Sequence, residues 1–378
     1  MNHINDLVII GISHHNTLSM IRSVGHEGVK PYVILYGHTK SYIEYSKYIA
    51  GYKHVETAEE AVEALVSFSR RAAHKPIVIT CSDEISMILD RHYDELCSLC
   101  YFFNAGEKGR VTRFMDKQVQ TTLAKECGFS TPWSIECLPG NTPYEEVQYP
   151  CIVKPKESVH GGKKLFVCYN VEELKISLKE FDAKYAVIIQ QYIKGEYEVV
   201  IIGLTISGHS IIPGFAKKHR DYKGATTYST IYPISDISRS VVTAAEQMLS
   251  QIKYEGLWGI ECIKMGENYY FIELNMRNDA TTYSMTTAGV NLPMIYYQTH
   301  NDDNYVLNTT MRVETINSMV EFDDFNFVLK RVVSLRRWKK QLNDCKCHYY
   351  FDKDDKAPYR AKRKEYIRFL INRLFHKA

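Results

Sequence analysis

Residues 269–282 read YYFIELNMRNDATT, a run of aromatic and branched residues that leads into charged and amide side chains. The alternating apolar pattern over 269–274 predicts a strand. Side chains two apart on a strand point to the same face, so we expect Glu273, Asn275 and Arg277 on one face. Because buried charge is costly unless it is paired or ligates a metal, this set predicts a binding site rather than core packing.

A second carboxylate precedes this stretch in Gly259-Ile260-Glu261. If its strand pairs antiparallel with residues 269–274, Glu261 joins the same face. Two carboxylates and an amide oxygen suit Mg²⁺ held against nucleotide phosphates, and Arg277 would stabilise charge on a transferring phosphoryl group. The alternative is an exposed edge strand whose polar residues face water.

The composition is typical of a soluble globular protein, with 378 residues, 45% apolar and 24% charged. This length allows two or three domains. No window approaches the roughly 20 consecutive apolar residues of a membrane span. The first residues do not resemble a secretory signal, so we expect a cytoplasmic protein. The ten cysteines are expected to be reduced, and neither Cys97-x-x-Cys100 nor Cys345-x-Cys347 has a second pair suited to zinc.

Charge is unevenly distributed along the chain. Residues 330–378 contain 16 Lys and Arg against 5 Asp and Glu, a net charge of +11, which leaves −8 of the overall +3 for residues 1–329. Attraction to an anionic partner would therefore concentrate in this tail. Helical potential is expected at 319–335 and 362–375, and Ile367, Ile371 and their neighbours form an apolar face. We expect that face to pack on its own domain, and contact with a membrane surface is the less favoured alternative.

The amino-terminal part alternates strand, helix and strand over residues 6–36, which predicts a parallel sheet with a crossover helix. The turn at Gly11 lacks the GxGxxG pattern, so a dinucleotide site is not supported. A buried strand over 76–80 is followed by Ser82 and Asp83. Ligands bind at such strand ends in open α/β sheets, although capping of the next helix is the favoured interpretation.

Two stretches in the middle of the chain have residues suited to a nucleotide. Residues 154–164 form a lysine-rich loop with paired glycines, in which Ser158, Gly161 and Gly162 would let backbone NH groups approach phosphates. The Walker ending is absent, and an ordinary basic hairpin turn is the alternative. The predicted strand 186–193 ends in a short turn before Glu198, which would suit an adenine hinge with a carboxylate for the ribose.

A basic cluster follows within residues 215–228 and comprises Lys217, Lys218, His219, Arg220 and Lys223. It could bind an anionic substrate or a γ-phosphate. A solvated loop is the alternative.

Together these motifs resemble the ATP-grasp superfamily of carboxylate-amine and related ligases over residues 5–300, most closely its predicted carboligase group, which includes D-aspartate ligase. The motifs that carry the resemblance are Asp116-Lys117, Val153-Lys154-Pro155, Gly161-Gly162, Gln190 to Glu198, Glu261, and Glu273-Leu274-Asn275-Met276-Arg277.

The resemblance implies a multidomain protein of α/β and α+β class. A Rossmann-like domain over residues 1–108 would precede an ATP-grasp domain over 109–300. The latter would comprise a mobile lid, about 112–190, and a central antiparallel-sheet part, about 191–300. Residues 301–378 would form a basic, partly helical extension.

The resemblance also implies roles for individual residues. Lys117 and Lys154 would contact the α- and β-phosphates of ATP, and Glu198 the ribose. Glu273 would bridge two Mg²⁺ ions, with Mn²⁺ as an alternative metal, and Arg277 would stabilise formation of an acyl phosphate. The nucleotide set is completed by Ser158, Gly161, Gly162, Gln190, Gln191, Tyr192, Ile193, Lys218 and Arg220, and the metal set by Glu261 and Asn275.

Three departures from the family pattern stand out. Gln190 replaces a glutamate near the adenine amino group, and Met276 replaces a proline. The sequence Asn278-Asp279-Ala280 replaces smaller residues in a loop that normally helps to hold the carboxylate substrate. The substrate of better-known members is therefore not carried over to this chain.

The activity implied is phosphorylation of a carboxylate by ATP and transfer of the acyl group to an amine of an amino acid or a related small molecule. One alternative is a phosphorylating carboxylase or carbamoyl-phosphate-type enzyme, although no second ATP-grasp copy is evident. The other is a non-catalytic ATP-binding regulatory protein. Small-molecule substrates are the expected partners, without nucleic acid, and a homodimer is a further alternative.

Overall fold

A computed structural model describes residues 5–37, 41–156, 165–302, 304–308 and 311–375, with side chains as far as residue 372. It is a mixed α/β structure. The strands are β1 (Leu7–Gly11), β2 (Tyr32–Tyr36), β3 (Gly51–Val55), β4 (Ile77–Thr80), β5 (Ser134–Cys137), β6 (Cys151–Pro155), β7 (Phe166–Cys168), β8 (Val187–Gln191), β9 (Tyr197–Ile206), β10 (His209–Tyr222), β11 (Ala225–Pro233), β12 (Gly256–Met265), β13 (Asn268–Asn275), β14 (Ile316–Met319) and β15 (Cys345–His348).

Helices connect and cover these strands. They are α1 (His15–Gly25), α2 (Ala58–Ser69), α3 (Asp83–Arg91), α4 (Tyr93–Leu99), α5 (Arg110–Phe114), α6 (Lys117–Glu126), α7 (Val171–Leu178), α8 (Arg239–Ile252), α9 (Thr282–Thr287), α10 (Leu292–Asn301), α11 (Glu321–Asp324), α12 (Asn326–Leu329), α13 (Leu335–Asp344) and α14 (Lys356–Phe375). Short 3₁₀ helices lie at Tyr42–Tyr45, Pro139–Asn141, Tyr144–Glu146 and Ile234–Asp236.

The first sheet has the order β3-β2-β1-β4, and its strands run parallel. The strand–helix–strand prediction for residues 6–36 is therefore confirmed. All of β1 is buried because helices cover both faces of the sheet, and Ile9 and Val8 belong to different apolar clusters. The carboxyl ends of β1 and β4 point toward the loop that follows β13, where Asn278 N donates to Thr80 O at 3.1 Å.

The second sheet has seven strands in the order β13-β12-β9-β10-β11-β14-β15. Its neighbours pair antiparallel except for β14 and β15, which are parallel. One apolar cluster runs from β1 and α1 into β9 and β12, so the first two sheets share a core. This shared core sets the position of the β12–β13 face relative to the end of the parallel sheet.

A smaller antiparallel sheet has the order β5-β8-β6-β7 and packs with α7 around its own core. Its buried residues include Cys151, Val153 and Ile189. The predicted glycine loop, with Ser158, Gly161 and Gly162, falls between β6 and β7 and lies outside the described residues.

Local contacts decide the structure of two short segments. Residues 110–126 form two helices, α5 and α6, because Asp116 caps the second helix by accepting from Gln118 N and Val119 N at 2.9 and 3.0 Å. The basic run near residue 220 is not a solvated loop, since β10 extends to Tyr222 and pairs with β11.

The carboxyl-terminal segment is integrated into the fold. β14 and β15 extend the second sheet beyond residue 300, so Met319 ends a strand and does not begin a helix. The expected packing of the apolar face of α14 is not found for Ile367 and Ile371, which are 44% and 46% exposed. Within the described ranges, no helix is both long and apolar enough to cross a membrane.

Candidate nucleotide and metal site

The predicted carboxylates meet on the edge of the second sheet. Glu261 of β12 lies directly opposite Glu273 of β13, as the antiparallel prediction requires. Directly opposed side chains in a sheet project to the same face, so these two partly buried carboxylates face one side together. Asn275 follows two residues later and is buried.

β13 is indeed an edge strand, as the alternative interpretation had it, but its edge is covered. Gln120 of α6 donates to Leu274 O and accepts from Leu274 N, both at 2.9 Å. Phe271 N donates to Ser130 O at 2.8 Å. The backbone edge of β13 is therefore partly covered by α6 and by the segment around Ser130 rather than fully open to solvent.

Each carboxylate has a lysine partner. Lys218 Nζ donates to Glu261 and, at 3.2 Å, to Glu198, and Lys117 Nζ lies 3.3 Å from Glu273. Burial alone would lower the pKa of Lys218, but the two carboxylates outweigh burial and hold the pKa above its usual value. Burial raises the pKa of Glu261 despite the nearby ammonium group.

A third lysine approaches the same region. Lys154 Nζ donates to Gln190 Oε1 at 3.0 Å. Burial, followed by the charge of Lys117, lowers the pKa of Lys154, whereas Glu273 acts in the opposite direction. Two ammonium groups that repel each other beside a carboxylate are suited to a polyanion, because phosphate would relieve the repulsion.

A cleft of about 540 Å³ lies between the small sheet and the second sheet. Its lining includes residues 190–198, Lys218, and the apolar side chains of Ile152, Ile263 and Ile272. An adjoining cavity of about 280 Å³ is lined by Lys117 and Lys154 and shares Gln190 and Ile272 with the cleft. Apolar walls at one end and lysines at the other match the shape and charge of a nucleotide.

The segment predicted as an adenine hinge has fewer free backbone groups than the sequence suggests. Gln191 N donates to Trp133 O at 2.9 Å and Tyr192 N donates to Pro150 O at 3.0 Å, so these two amides already have partners. Gln190 accepts from Lys154 through its side chain. Ile193 lines the cleft and Glu198 lies beside Lys218.

Arg277 connects the metal set to the parallel sheet. Its guanidinium donates to Asn275 Oδ1 at 3.0 Å and lies 3.0 Å from Asp83 and 3.8 Å from Asp279. Burial acts to lower its pKa, and the two aspartates more than offset that effect. The guanidinium is thus held beside the expected metal ligands by groups from two parts of the chain.

Arg220 lines the cleft together with Lys218 and also has partners outside it. Its guanidinium is bidentate with Asp324, at 2.8 and 2.7 Å, and donates to Gln341 at 2.8 Å. Arg220 therefore joins β10 to the carboxyl-terminal segment at the border of the cleft. Sequence spacing could not reveal a partner 104 residues away.

The sequence predicted the contacts of Ser82 and Asp83 only in part and those of Asn16 not at all. Asp83, considered at the end of β4, pairs with Arg277, while Ser82 accepts from Ile85 N and caps α3 as favoured. Asn16 of α1 donates to the backbone oxygen of Asn278 at 3.1 Å. No local sequence pattern predicts that α1 lies near residues 277–279, because this proximity results from packing in the shared core.

The described residues contain few groups that could bind a metal. No group of three or more His, Cys, Asp or Glu side chains capable of holding a metal occurs in the described ranges. The two carboxylates and one amide oxygen are all oxygen donors, which suits a hard cation that takes its other ligands from phosphates and water.

Comparison with known families agrees with this geometry. Residues 115–281 match the model of the ATP-grasp domain family. These residues therefore form an ATP-grasp domain.

Solved structures show the same fold over most of the chain. A Staphylococcus aureus N5-carboxyaminoimidazole synthetase aligns with a TM-score of 0.67 at 13% identity, covering 88% of this chain and 87% of that one. An L-amino acid ligase from Bacillus licheniformis aligns with a TM-score of 0.62 at 14% identity, covering 84% and 80%.

Curated relatives match shorter stretches. The carbamoyl phosphate synthase large chain of Clostridium acetobutylicum is 26% identical over 192 residues, which are 48% of this chain and 18% of that protein. A formate-dependent phosphoribosylglycinamide formyltransferase of Corynebacterium jeikeium is 27% identical over 161 residues, 38% of each chain. The matched part thus spans well under half of the length of these relatives.

Proposed function

We propose that the protein is an ATP-dependent ligase that phosphorylates a carboxylate and joins the acyl phosphate to an amine. One arrangement of side chains carries this proposal. Glu261 lies opposite Glu273 on the paired strands, Lys117 lies beside Glu273, and Arg277 donates a hydrogen bond to Asn275. The ATP-grasp domain and the nucleotide-shaped cleft support it.

In this proposal ATP lies in the cleft with its base near Ile193 and its ribose near Glu198. Lys117 and Lys154 neutralise the phosphates, and Ser158, Gly161 and Gly162 complete the proposed set of phosphate contacts. The amides of Gln191 and Tyr192 already have partners, so recognition of the base would fall to other groups of residues 190–193.

The oxygen donors Glu261, Glu273 and Asn275 would hold Mg²⁺, two ions if Glu273 bridges them, with Mn²⁺ as a substitute. Bound there, the metal would withdraw charge from the phosphate oxygens during phosphoryl transfer. The lysines now paired with Glu261 and Glu273 would be available to the phosphates once a metal shares those carboxylates.

The chemistry follows from the substrates. A carboxylate oxygen attacks the γ-phosphorus, the bond to the β-phosphate oxygen breaks, and ADP leaves. The amine nitrogen then attacks the acyl carbon, phosphate leaves, and the nitrogen loses a proton. Arg277 stabilises the charge that develops on the transferring group, and the protein contributes positioning and electrostatics rather than a nucleophile.

Substrate binding is assigned to the junction of the parallel sheet with the ATP-grasp domain. Residues 1–108 would act as a Rossmann-like substrate-binding domain, and 109–300 as the ATP-grasp domain with a lid near 112–190. The contacts of Asn16 with Asn278 and of Asp83 with Arg277 support this, because they bring strand ends of the first sheet to the proposed reaction centre.

A second candidate is a phosphorylating carboxylase or carbamoyl-phosphate-type enzyme. The observation in its favour is the sequence match to carbamoyl phosphate synthase large chains. Bicarbonate would then be the acid that is phosphorylated. ADP release that requires bicarbonate and no other acid would select this candidate over the ligase.

The deciding experiment measures phosphate release and hydroxamate formation with Mg-ATP, hydroxylamine and a panel of amino acids, dipeptides and sugar acids. Hydroxamate from one acid is expected and would identify the electrophile. Glu273→Gln is the matched variant, because it keeps the shape of the side chain and removes its charge. Tight ATP binding without phosphate release from any acid would instead support a regulatory ATP-binding protein.

A homodimer is a secondary proposal. One of the solved neighbours, a biotin carboxylase domain, is described as a dimer. Light scattering coupled to size-exclusion chromatography would give a mass of twice 43.8 kDa if the proposal holds.

A further inference from the structure

The carboxyl-terminal segment forms a second cavity, which shares no described lining residue with the nucleotide cleft or its adjoining cavity. Its volume is about 660 Å³, against about 540 Å³ for the cleft. Cavities of roughly 300–1,000 Å³ with apolar walls and a few polar groups are typical binding sites for small molecules. Every lining residue lies between Glu321 and Ile367, beyond the match to the ATP-grasp domain. The cavity is therefore a candidate ligand site separate from the proposed reaction centre.

We call this site the aromatic cavity, because six of its lining residues have aromatic rings. They are Phe322, Phe325, Trp338, Phe351, Tyr359 and Tyr366. Phe322 stacks on Tyr359 with ring centres 5.5 Å apart, and Phe351 meets Tyr359 edge-on at the same distance. Trp338 Nε1 donates to the completely buried Asp324 at 2.9 Å, which fixes the indole ring. Since neighbouring groups hold these rings in place, the cavity is already formed without a ligand.

The charged groups of the aromatic cavity differ in the partners that they have. Glu321 is 6% exposed, and its carboxylate accepts from the amides of Tyr350 and Phe351 at 3.0 and 2.8 Å. Arg363 of α14 is exposed, and no carboxylate in the described part of the chain lies within ion-pair distance of its guanidinium. The negative charge inside the cavity is thus bound by the backbone, whereas the positive charge on its solvent side is available to a ligand.

The opening of the aromatic cavity is apolar as well as basic. Phe351 and Ile367 line it and are each 44% exposed. An apolar ligand would remove these side chains from water, which is favourable. Residues 330–378 carry a net charge of +11, so the field around the opening attracts anions. A neutral ligand would gain only the apolar contacts, and a cation would in addition be repelled.

We propose that the aromatic cavity binds a soluble amphiphilic anion, with its apolar body among the rings and its carboxylate or phosphate group paired with Arg363. The lining comes from helices α11, α13 and α14 and from β15, so the rings surround a concavity. A concave site favours a single molecule over a membrane surface, which would need a flat apolar face. This inference does not depend on the proposed ligase function.

The test measures binding of a fluorescent anion, 8-anilinonaphthalene-1-sulfonate, to the full chain, with Mg-ATP present to occupy the cleft. Decanoate and decan-1-ol then compete with this probe, since they have the same alkyl chain and differ in charge. Arg363→Met removes the charge and keeps an apolar side chain. Arg368→Met is the matched control, because Arg368 is exposed on the same helix and does not line the cavity. Ile367→Trp places a larger side chain at the opening.

Wild type should bind the probe saturably, and decanoate should displace it at a concentration about 2- to 5-fold lower than decan-1-ol, as expected for an exposed ion pair. Arg363→Met should abolish this difference, whereas Arg368→Met should retain it. Ile367→Trp should weaken displacement by both competitors, because it fills part of the opening. Circular dichroism should show the same helix content in all four proteins, since each substitution is at an exposed position.

Five results would overturn the inference. The first is the absence of saturable probe binding to wild type. Equal displacement by decanoate and decan-1-ol would show that no anion is recognised, and a difference that persists in Arg363→Met would place the anion elsewhere. Displacement by phosphatidylglycerol vesicles but not by decanoate would assign this face to a membrane surface. A dimer that Ile367→Trp dissociates, measured by light scattering, would assign it to a second copy of the chain. None of these results bears on the ligase function, which the hydroxamate assay tests separately.

Discussion

Replacing Arg22 with methionine should loosen the whole carboxyl-terminal segment. The guanidinium is fully buried, lies 3.2 Å from Asp355 and 3.7 Å from Asp352, and donates to three backbone oxygens of residues 349, 350 and 355 at 3.0 to 3.1 Å. Methionine matches the length of the side chain but makes none of these contacts.

The loss of stability in the Arg22→Met variant follows from the contacts that are removed and from those that remain. Three carbonyl groups would lose a donor, each at about 1 kcal/mol or more, and two buried carboxylates would lose their cation. Ser46 and the amide of Lys47 would still donate to Asp355 at 2.8 and 3.0 Å, which limits the loss. Breaking a buried ion pair in this way costs about 3–5 kcal/mol.

Hydrogen exchange measured by mass spectrometry would report this cost locally. A loss of about 3–5 kcal/mol of opening free energy corresponds to exchange about 10² to 10³·⁵ times faster in residues 345–355. Arg239→Met is the control, because Arg239 is largely exposed and its pair with Glu246 at 3.4 Å should contribute about 1 kcal/mol or less. Exchange in residues 345–355 that is less than about 5-fold faster in the Arg22 variant would refute the reasoning.

Three further predictions concern the site and pH. Arg277→Lys should lower kcat about 10²- to 10³-fold with little change in KM for ATP, because an ammonium cannot reproduce the planar contacts; unchanged hydroxamate formation would contradict this. Lys117→Met should raise KM for ATP about 10-fold or more at an unchanged melting temperature, since Lys117 is an exposed residue 3.3 Å from Glu273. A hydrogen bond to Asp352 raises the pKa of His26 above 6.5. Protonated His26 stabilises the folded state fully below that pH, and this stabilisation is lost as the pH rises through the higher pKa of the folded state. The urea midpoint of the wild type should therefore fall between pH 6 and 9, and His26→Gln should make that fall smaller.

Much of the arrangement around Glu273 could be predicted because it depends on local rules. Alternation along a strand places Glu273 and Asn275 on one face whatever surrounds them, and antiparallel pairing of two nearby strands brings Glu261 opposite. The order of the motifs then suffices for the ATP-grasp domain, which the family match over residues 115–281 supports.

The sequence did not indicate which partners the side chains of the basic cluster on β10 would have. Lys218 and Arg220 are two residues apart on β10, yet Lys218 pairs with Glu261 and Arg220 with Asp324. A register shift between residues 218 and 220 changes the direction of the strand there. Nothing in the composition of this run distinguishes the two side chains.

The sequence by itself determined the parallel opening and the carboxylate strands, since each depends on periodicity within ten or so residues. The order of its motifs indicated the ATP-grasp domain through their resemblance to that family. Only the tertiary structure placed Asp83 beside Arg277, and Arg22 against Asp355 across 333 residues. Such contacts depend on how separate elements pack around a shared core, and side-chain chemistry at one position carries no information about which distant partner will face it.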